Sequence, residues 1–295
     1  MGLTMKELAK LAEVSQCAVS LVINGKAEGR ISKENQERIL ALIKEHDFRP
    51  NFSARGLKNS KVYTVGVIMP TPKSFFDTQI ISNLQIRLAR KKYMALFSFW
   101  QTERSVVDAY NSVLEHDVDG VISWDYHEIL RKNDFPVILY QTSREDFDNV
   151  APDFPAAIRK ALAYLSGLGH SRIGFVGGTR KSRDLRRESF LHFIGEFGVA
   201  ADPGWILDAQ GLHENGVLAA ETLLRRRNMP TAVITLNDNI AVGMMSVFFK
   251  AGVKVPEDIS ILSFDNTEQA GVSIPPLTSF ELNTREIVRV LSDRL

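Results

Sequence analysis

The strongest constraint on this chain begins at Val62. Val62-Tyr63-Thr64-Val65-Gly66-Val67-Ile68-Met69 is a nearly continuous apolar run closed by Pro70, the pattern of a parallel strand buried on both faces. Helical stretches and further apolar runs then alternate. Helices are predicted at 77–92, 106–115, 155–167, 185–197, 215–226 and 239–251, and strands at 94–99, 120–124, 137–140, 173–176, 205–207, 232–235 and 259–264. Such alternation implies an α/β body of open, doubly wound parallel sheets. Roughly two hundred residues is long for one such sheet, so two subdomains are expected. Residues 283–295 read as a closing helix.

The first sixty residues have a different texture, all helical. Thr4 caps a helix and Glu7 completes a capping box. Leu8, Leu11 and Ala12 are expected on its buried face. Glu13-Val14-Ser15 makes a turn, and Ser15 caps a second helix, 16–23. Val19, Val22 and Ile23 point inward there, leaving Gln16, Cys17, Ser20 and Leu21 toward solvent or a partner. Asn24-Gly25 ends the helix. A third helix starts near Ser32, with Ile39, Leu40, Leu42 and Ile43 as its buried stripe.

A unit this small with a solvent-facing second helix has the pattern of a helix-turn-helix, which predicts that it reads the major groove of double-stranded DNA. Gln16 suits a base edge because its amide both donates and accepts. Cys17 beside it is either a base contact or an exposed first-turn residue, with a redox-sensitive thiol as a third reading. Charge agrees once it is divided. The whole chain carries 36 Lys+Arg against 35 Asp+Glu, but residues 1–61 hold 11 against 7 and the remainder 25 against 28. The basic excess lies where phosphates would be met.

Composition excludes several classes. A single cysteine allows no internal disulfide and fits a reducing, cytoplasmic setting. Neither a signal peptide nor an eighteen-residue apolar span is present, so no membrane partner is expected. The six His and one Cys show no metal-ligand spacing, no phosphate loop or nucleophile elbow occurs, and Gly174-Phe175-Val176-Gly177-Gly178 is too irregular for a dinucleotide fingerprint. An enzyme is therefore not expected, and no cofactor.

Lys6-Glu7-Leu8-Ala9, Val14-Ser15, Val19-Ser20, Asn24-Gly25, Arg30-Ile31-Ser32 and Arg49-Pro50-Asn51 with Ala54-Arg55-Gly56-Leu57 resemble the headpiece of the LacI/GalR family of bacterial transcription regulators. The body resembles it as well, in Leu168-Gly169-His170-Ser171-Arg172-Ile173-Gly174-Phe175-Val176-Gly177-Gly178, Asn237-Asp238, Ala241-Val242-Gly243, Gly252-Val253-Lys254-Val255-Pro256-Glu257-Asp258-Ile259, Ser263-Phe264-Asp265-Asn266 and Pro276-Leu277-Thr278-Ser279. The resemblance implies a headpiece at 1–48, a hinge at 49–61 and a periplasmic-binding-protein-like body at 62–295. The body would hold a small effector, carbohydrate-like, between two subdomains of a homodimer. It further implies DNA contacts from Thr4, Ser15, Gln16, Cys17, Ser20, Leu21, Asn24, Asn51, Ala54, Arg55 and Leu57, the last as an apolar wedge in the minor groove. Ala18 and Leu21 depart from the Thr and Arg usual in the family, which leaves the operator sequence open. Control by a protein partner, or none, is the alternative to an effector. An exported solute-binding protein would share the body but have no use for the headpiece.

Ligands of such sheets sit beyond the carboxyl ends of the strands. That rule selects Phe75-Phe76, Trp124-Asp125, Asn237-Asp238 and Asp265. The resemblance assigns effector contacts to Phe76, Asp153, Arg186, Asn237 and Asp265. Each has a plainer reading: Phe76 packs the wall, Asp153 caps a helix, and Arg186 joins a solvated face with Arg183 and Arg187. Relatives carry a stacking aromatic near 210–216, where this chain has Leu212 and His213. They also continue for a few dozen residues past the closing helix, including a last strand, so an incomplete sheet edge is expected.

Overall fold

The chain folds as two units, Met1–Val62 and Tyr63–Leu295. The computed structural model describes residues 3–295 apart from 24, 47, 49–60, 133, 143, 179–183 and 201, with Glu103 described in its backbone only. Asn24, Asn51, Ala54, Arg55 and Leu57, and most of the expected hinge, lie outside the described residues.

In the first unit, α1 (Met5–Leu11), α2 (Gln16–Ile23) and α3 (Lys33–Glu45) surround Leu8, Ala9, Ala12, Val19, Val22, Ala27, Ile39 and Phe48. The capping box at α1 forms as expected: Glu7 N donates to Thr4 Oγ1 at 3.2 Å and Thr4 N to Glu7 Oε2 at 2.8 Å. Two expected core positions are instead exposed, Leu11 at 50% and Leu40 at 53%. Each lies one helical step, about 100°, from a buried neighbour, and three short helices enclose only a narrow stripe of each. Ala27 and Phe48, in the connections, complete the core.

The second unit contains two five-stranded parallel sheets. The first comprises β1 (Thr64–Pro70), β2 (Met94–Trp100), β3 (Gly120–Ser123), β4 (Val137–Tyr140) and β5 (Asp148–Val150), in the order β2-β1-β3-β4-β5. The second comprises β6 (Ile173–Val176), β7 (Ile206–Leu207), β8 (Ala232–Thr235), β9 (Ser260–Asp265) and β10 (Thr278–Glu281), in the order β10-β9-β8-β6-β7. Helices α4 (Phe75–Arg90) and α5 (Glu103–Leu114) cover the first sheet. The second is covered by α6 (Phe154–Gly167), α7 (Leu185–Phe193), α8 (His213–Leu224) and α9 (Asp238–Lys250), with the short α10 (Glu268–Val272) beside α9. Each fully buried Leu, Ile or Phe in these layers contributes about 1.5–3 kcal/mol relative to exposure.

The chain passes from the first sheet to the second between Val150 and Phe154. It returns after Glu281, and α11 (Thr284–Arg294) buries Val288 and Leu291 against the first sheet's core. Polar bonds hold that return. Asn83 Nδ2 donates to Thr284 Oγ1 at 3.1 Å, Arg87 Nε to Ser292 Oγ at 2.6 Å, and Lys91 Nζ to the Ser292 carbonyl at 2.6 Å. Arg87 and Lys91 hold the Asp293 carboxyl well below its ordinary range, to about 2.

The sequence pattern does not reveal β5 or β10, which are short, polar and at sheet edges. Helix α4 starts two residues before the predicted 77, because Ser74 and Asp77 form a second capping box. Helices α8 and α9 touch backbone to backbone. A Cβ on Gly243 would stand 2.2 Å from the His213 carbonyl oxygen, and one on Gly216 2.1 Å from that of Ile240.

Candidate functional site

In the first unit, α2 carries four of the residues expected to face a partner. Gln16 and Cys17 are exposed, and Ser20 and Leu21 half-buried. Ser15 Oγ accepts from Ala18 N at 3.1 Å, so this hydroxyl is occupied as a cap, as that of Thr4 is at α1. Ala18 is buried, so the residue that departs from the family's usual Thr faces the headpiece core.

The second unit contains a cavity of about 300 Å³ at the carboxyl ends of both sheets. Pro70 ends β1, Trp100 ends β2, Trp124 follows β3, Gln141 follows β4, Gln210 follows β7, Asn237 follows β8 and Asp265 ends β9; all line it. Phe76 and Asp77 enter from the first turn of α4, and Arg186 from the first turn of α7. Four of the five expected effector residues, Phe76, Arg186, Asn237 and Asp265, thus meet in one place. Asp153 does not line the cavity. It is exposed and caps α6, accepting from Ala156 N at 3.0 Å. Its neighbour Phe154 matters more, because the Arg186 guanidinium lies 4.3 Å from the centre of the Phe154 ring.

Arg186 is held from all sides. Its Nη2 and Nε donate to Asp184 at 3.0 and 3.2 Å, and its Nη1 donates to the Leu236 carbonyl at 3.1 Å. Burial works against the Asp184 charge, but the Arg186 guanidinium and its hydrogen bonds outweigh it and hold the carboxyl below its usual range. The Asn237 amide is committed at both ends, accepting from Ile240 N at 3.1 Å and donating to the Gly211 carbonyl at 3.0 Å. Asp238, just behind, is buried and accepts from Thr267 N, Thr267 Oγ1 and Ser279 Oγ at 2.7 to 2.8 Å, tying α9 to the β9–α10 and β10 segments.

Asp265 is the contrasting case. Its backbone takes φ +100°, a sparsely populated region for a residue with a Cβ, costing about 1–3 kcal/mol. Burial pushes its carboxyl up to about 7; Arg186 pulls the other way, and Asp238 and Asp77 add to the rise. Across the cavity, Asn239 Nδ2 donates to the Lys73 carbonyl at 3.2 Å, bonding the second sheet's helix to the first sheet's β1–α4 loop.

Trp100, Gln101, Gln141 and Gln210 line the cavity without having been anticipated. The strand-end rule applied to β2 selects Trp100, because the strand extends one residue past the predicted 94–99.

Residues 4–51 match the family described as bacterial regulatory proteins, lacI family, and residues 162–295 match the periplasmic binding protein-like domain. Catabolite control protein A of Priestia megaterium is 29% identical over 291 residues, covering 95% of this chain and 87% of that protein. The HTH-type transcriptional repressor PurR of Photobacterium profundum is 27% identical over 310 residues, covering 99% and 92%. Among solved structures, the Lac repressor dimer bound to operator and the anti-inducer ONPF superposes with a TM-score of 0.88 at 22% identity, covering 100% of this chain and 92% of that one. A regulatory protein of the LacI family from Chloroflexus aggregans gives 0.69 at 26% identity, covering 78% and 88%.

Proposed function

Because this chain belongs to the LacI family of bacterial regulatory proteins, we propose that it is a cytoplasmic homodimer that represses transcription at a near-palindromic operator and is controlled by a small, carbohydrate-like effector in its cleft. The observation that carries the effector is the convergence of Phe76, Arg186, Asn237 and Asp265 on one cavity at the strand ends. Helix α2 enters the major groove, with Gln16 and Cys17 toward base edges and Ser20 and Leu21 beside them. Thr4 and Ser15 lie at helix N-termini, where backbone N–H groups and the helix dipole receive a phosphate. Leu57 wedges a base step from the minor groove, with Asn51, Ala54 and Arg55 alongside it.

Dimerisation draws support from apolar surface. Helix α9 packs on both α8 and α10. Around them, Leu218, Phe249, Val272 and Ile274 are exposed, the last two by 71% and 92%. A patch of this kind marks an interface, and twofold symmetry in the protein is matched by twofold symmetry in the operator. Effector binding biases the two sheet layers toward one arrangement, and the hinge carries that bias to the headpieces.

Selection from a random duplex pool tests the DNA reading and will enrich a site with two related half-sites. Leu57→Ala will then weaken that site far more than random duplex. Enrichment of unrelated single sites, or equal losses on both duplexes, would overturn the dimeric reader or the wedge respectively.

A further inference from the structure

The cavity divides its chemistry between its walls. Among the described residues, the aromatic rings lining it come from the first sheet's layer, from Phe76, Trp100 and Trp124. The second layer contributes Arg186, Gln210, Asn237 and Asp265. The stacking residue expected near 210–216 is absent; Gln210 and Gly211 line the wall there.

Among the three aromatic residues, Trp100 is the one set apart by being only half-buried and having no ring stacked or edge-on against it among the described residues. Phe76 is buried in the first sheet's core. Trp124 stands edge-on to Tyr140, their ring centres 4.7 Å apart. Trp100 packs on the core around Ile68 and Leu139, and its buried indole Nε1 lacks a hydrogen-bond partner among the described residues. Its backbone is fixed where β1 meets β2, with Thr71 N donating to the Trp100 carbonyl at 2.8 Å.

The charges narrow the ligand further. Arg186 is neutralised by Asp184, and Lys73 is exposed at the rim. Among the described residues these two cations face Asp77 and Asp265 in the lining, Asp265 carrying only part of a charge near pH 7, with Asp184 and Asp238 immediately behind. A phosphate ester would bring further negative charge to this surplus. Gln101, Gln141 and Gln210 donate and accept alike, as hydroxyl groups require.

We propose that Trp100 is the stacking platform of the cleft, replacing the aromatic missing from the opposite wall, and that the cleft admits an uncharged sugar ring and rejects phosphorylated sugars. The ring's apolar face lies on the indole, and its hydroxyls point toward Asp265 and the amides. This rests on the effector-binding reading above.

Calorimetry on the full chain with glucose, galactose, cellobiose, lactose and glucose 6-phosphate tests it, with the wild type, Trp100→Leu, Trp100→Phe and Asp265→Asn compared. At least one neutral sugar will bind, and glucose 6-phosphate will bind roughly ten-fold or more weakly than that sugar. Trp100→Leu will weaken the neutral sugar roughly ten-fold, and Trp100→Phe will restore most of the loss, because the ring face is retained. Thermal unfolding without sugar will show that each variant is folded, and Trp100→Phe keeps the test valid if the leucine variant is not. Unchanged binding in Trp100→Leu, with binding lost in Asp265→Asn, would overturn the platform and leave the effector cleft standing. Tighter binding of glucose 6-phosphate would overturn the charge argument alone. No heat from any sugar would remove the carbohydrate-effector reading, and this inference with it.

Discussion

Asp265 and Asp153 show how two aspartates offered for the same role diverge by surroundings. Asp153 satisfies its carboxylate on a helix N-terminus in solvent. Asp265 is buried on a strained backbone with its carboxyl raised to about 7. A folded-state pKa above the unfolded value means that the native chain binds the extra proton between about 4 and 7. This group therefore favours folding below its unfolded pKa, and the benefit is lost as pH rises through about 7. Chemical denaturation from pH 5 to 8 will show stability falling across that window, with Asp265→Asn flattening the trend. The ionised carboxylate accepts a stronger, charge-assisted bond from a bound hydroxyl than the protonated acid does, so effector affinity will rise from pH 6 to 8 in the wild type and not in the variant. Parallel affinity profiles for the two would remove Asp265 from the site.

At the scale of elements, helix ends and helix contacts set the geometry. The capping box at α1 is worth about 1 kcal/mol, so Thr4→Ala will lower headpiece stability by about that amount. Circular dichroism of the full chain will show this as an earlier headpiece transition. The α8–α9 contact is more demanding, because a Cβ on Gly243 meets a carbonyl oxygen rather than a pliable side chain. Gly243→Ala will destabilise the body by about 1–3 kcal/mol and shift α9, whose N-cap Asn237 sits in the cavity wall. Binding of the proposed effector will therefore weaken together with stability. A variant that unfolds like the wild type would show that the two helices separate without penalty.

At the scale of the molecule, the proposed function calls for two copies and a charged surface. Ile274→Asp and Phe249→Asp place a carboxylate in the exposed apolar patch; each will yield a monomer by sedimentation and lose most operator affinity. A dimeric Ile274→Asp variant would move the interface elsewhere. Operator affinity will fall steeply with salt, since the basic excess of residues 1–61 acts through phosphates.

The two units, the strand–helix alternation and the helix-turn-helix are legible in the residues alone. These follow from local rules: apolar period, capping residues and the carboxyl-end position of ligand sites. The same rules were enough for Phe76, Asn237 and Asp265, which sit on or beside predicted strand and helix ends. Only the tertiary structure decided the rest. It exposed Leu11 and Leu40, placed the edge strands β5 and β10, left Asp153 outside the cavity, neutralised Arg186 with Asp184, and brought Trp100 to the wall opposite the missing aromatic. Each of these depends on residues distant in sequence. Burial, ion pairing and a shared cavity are properties of what packs against a residue, and no local pattern records that neighbour.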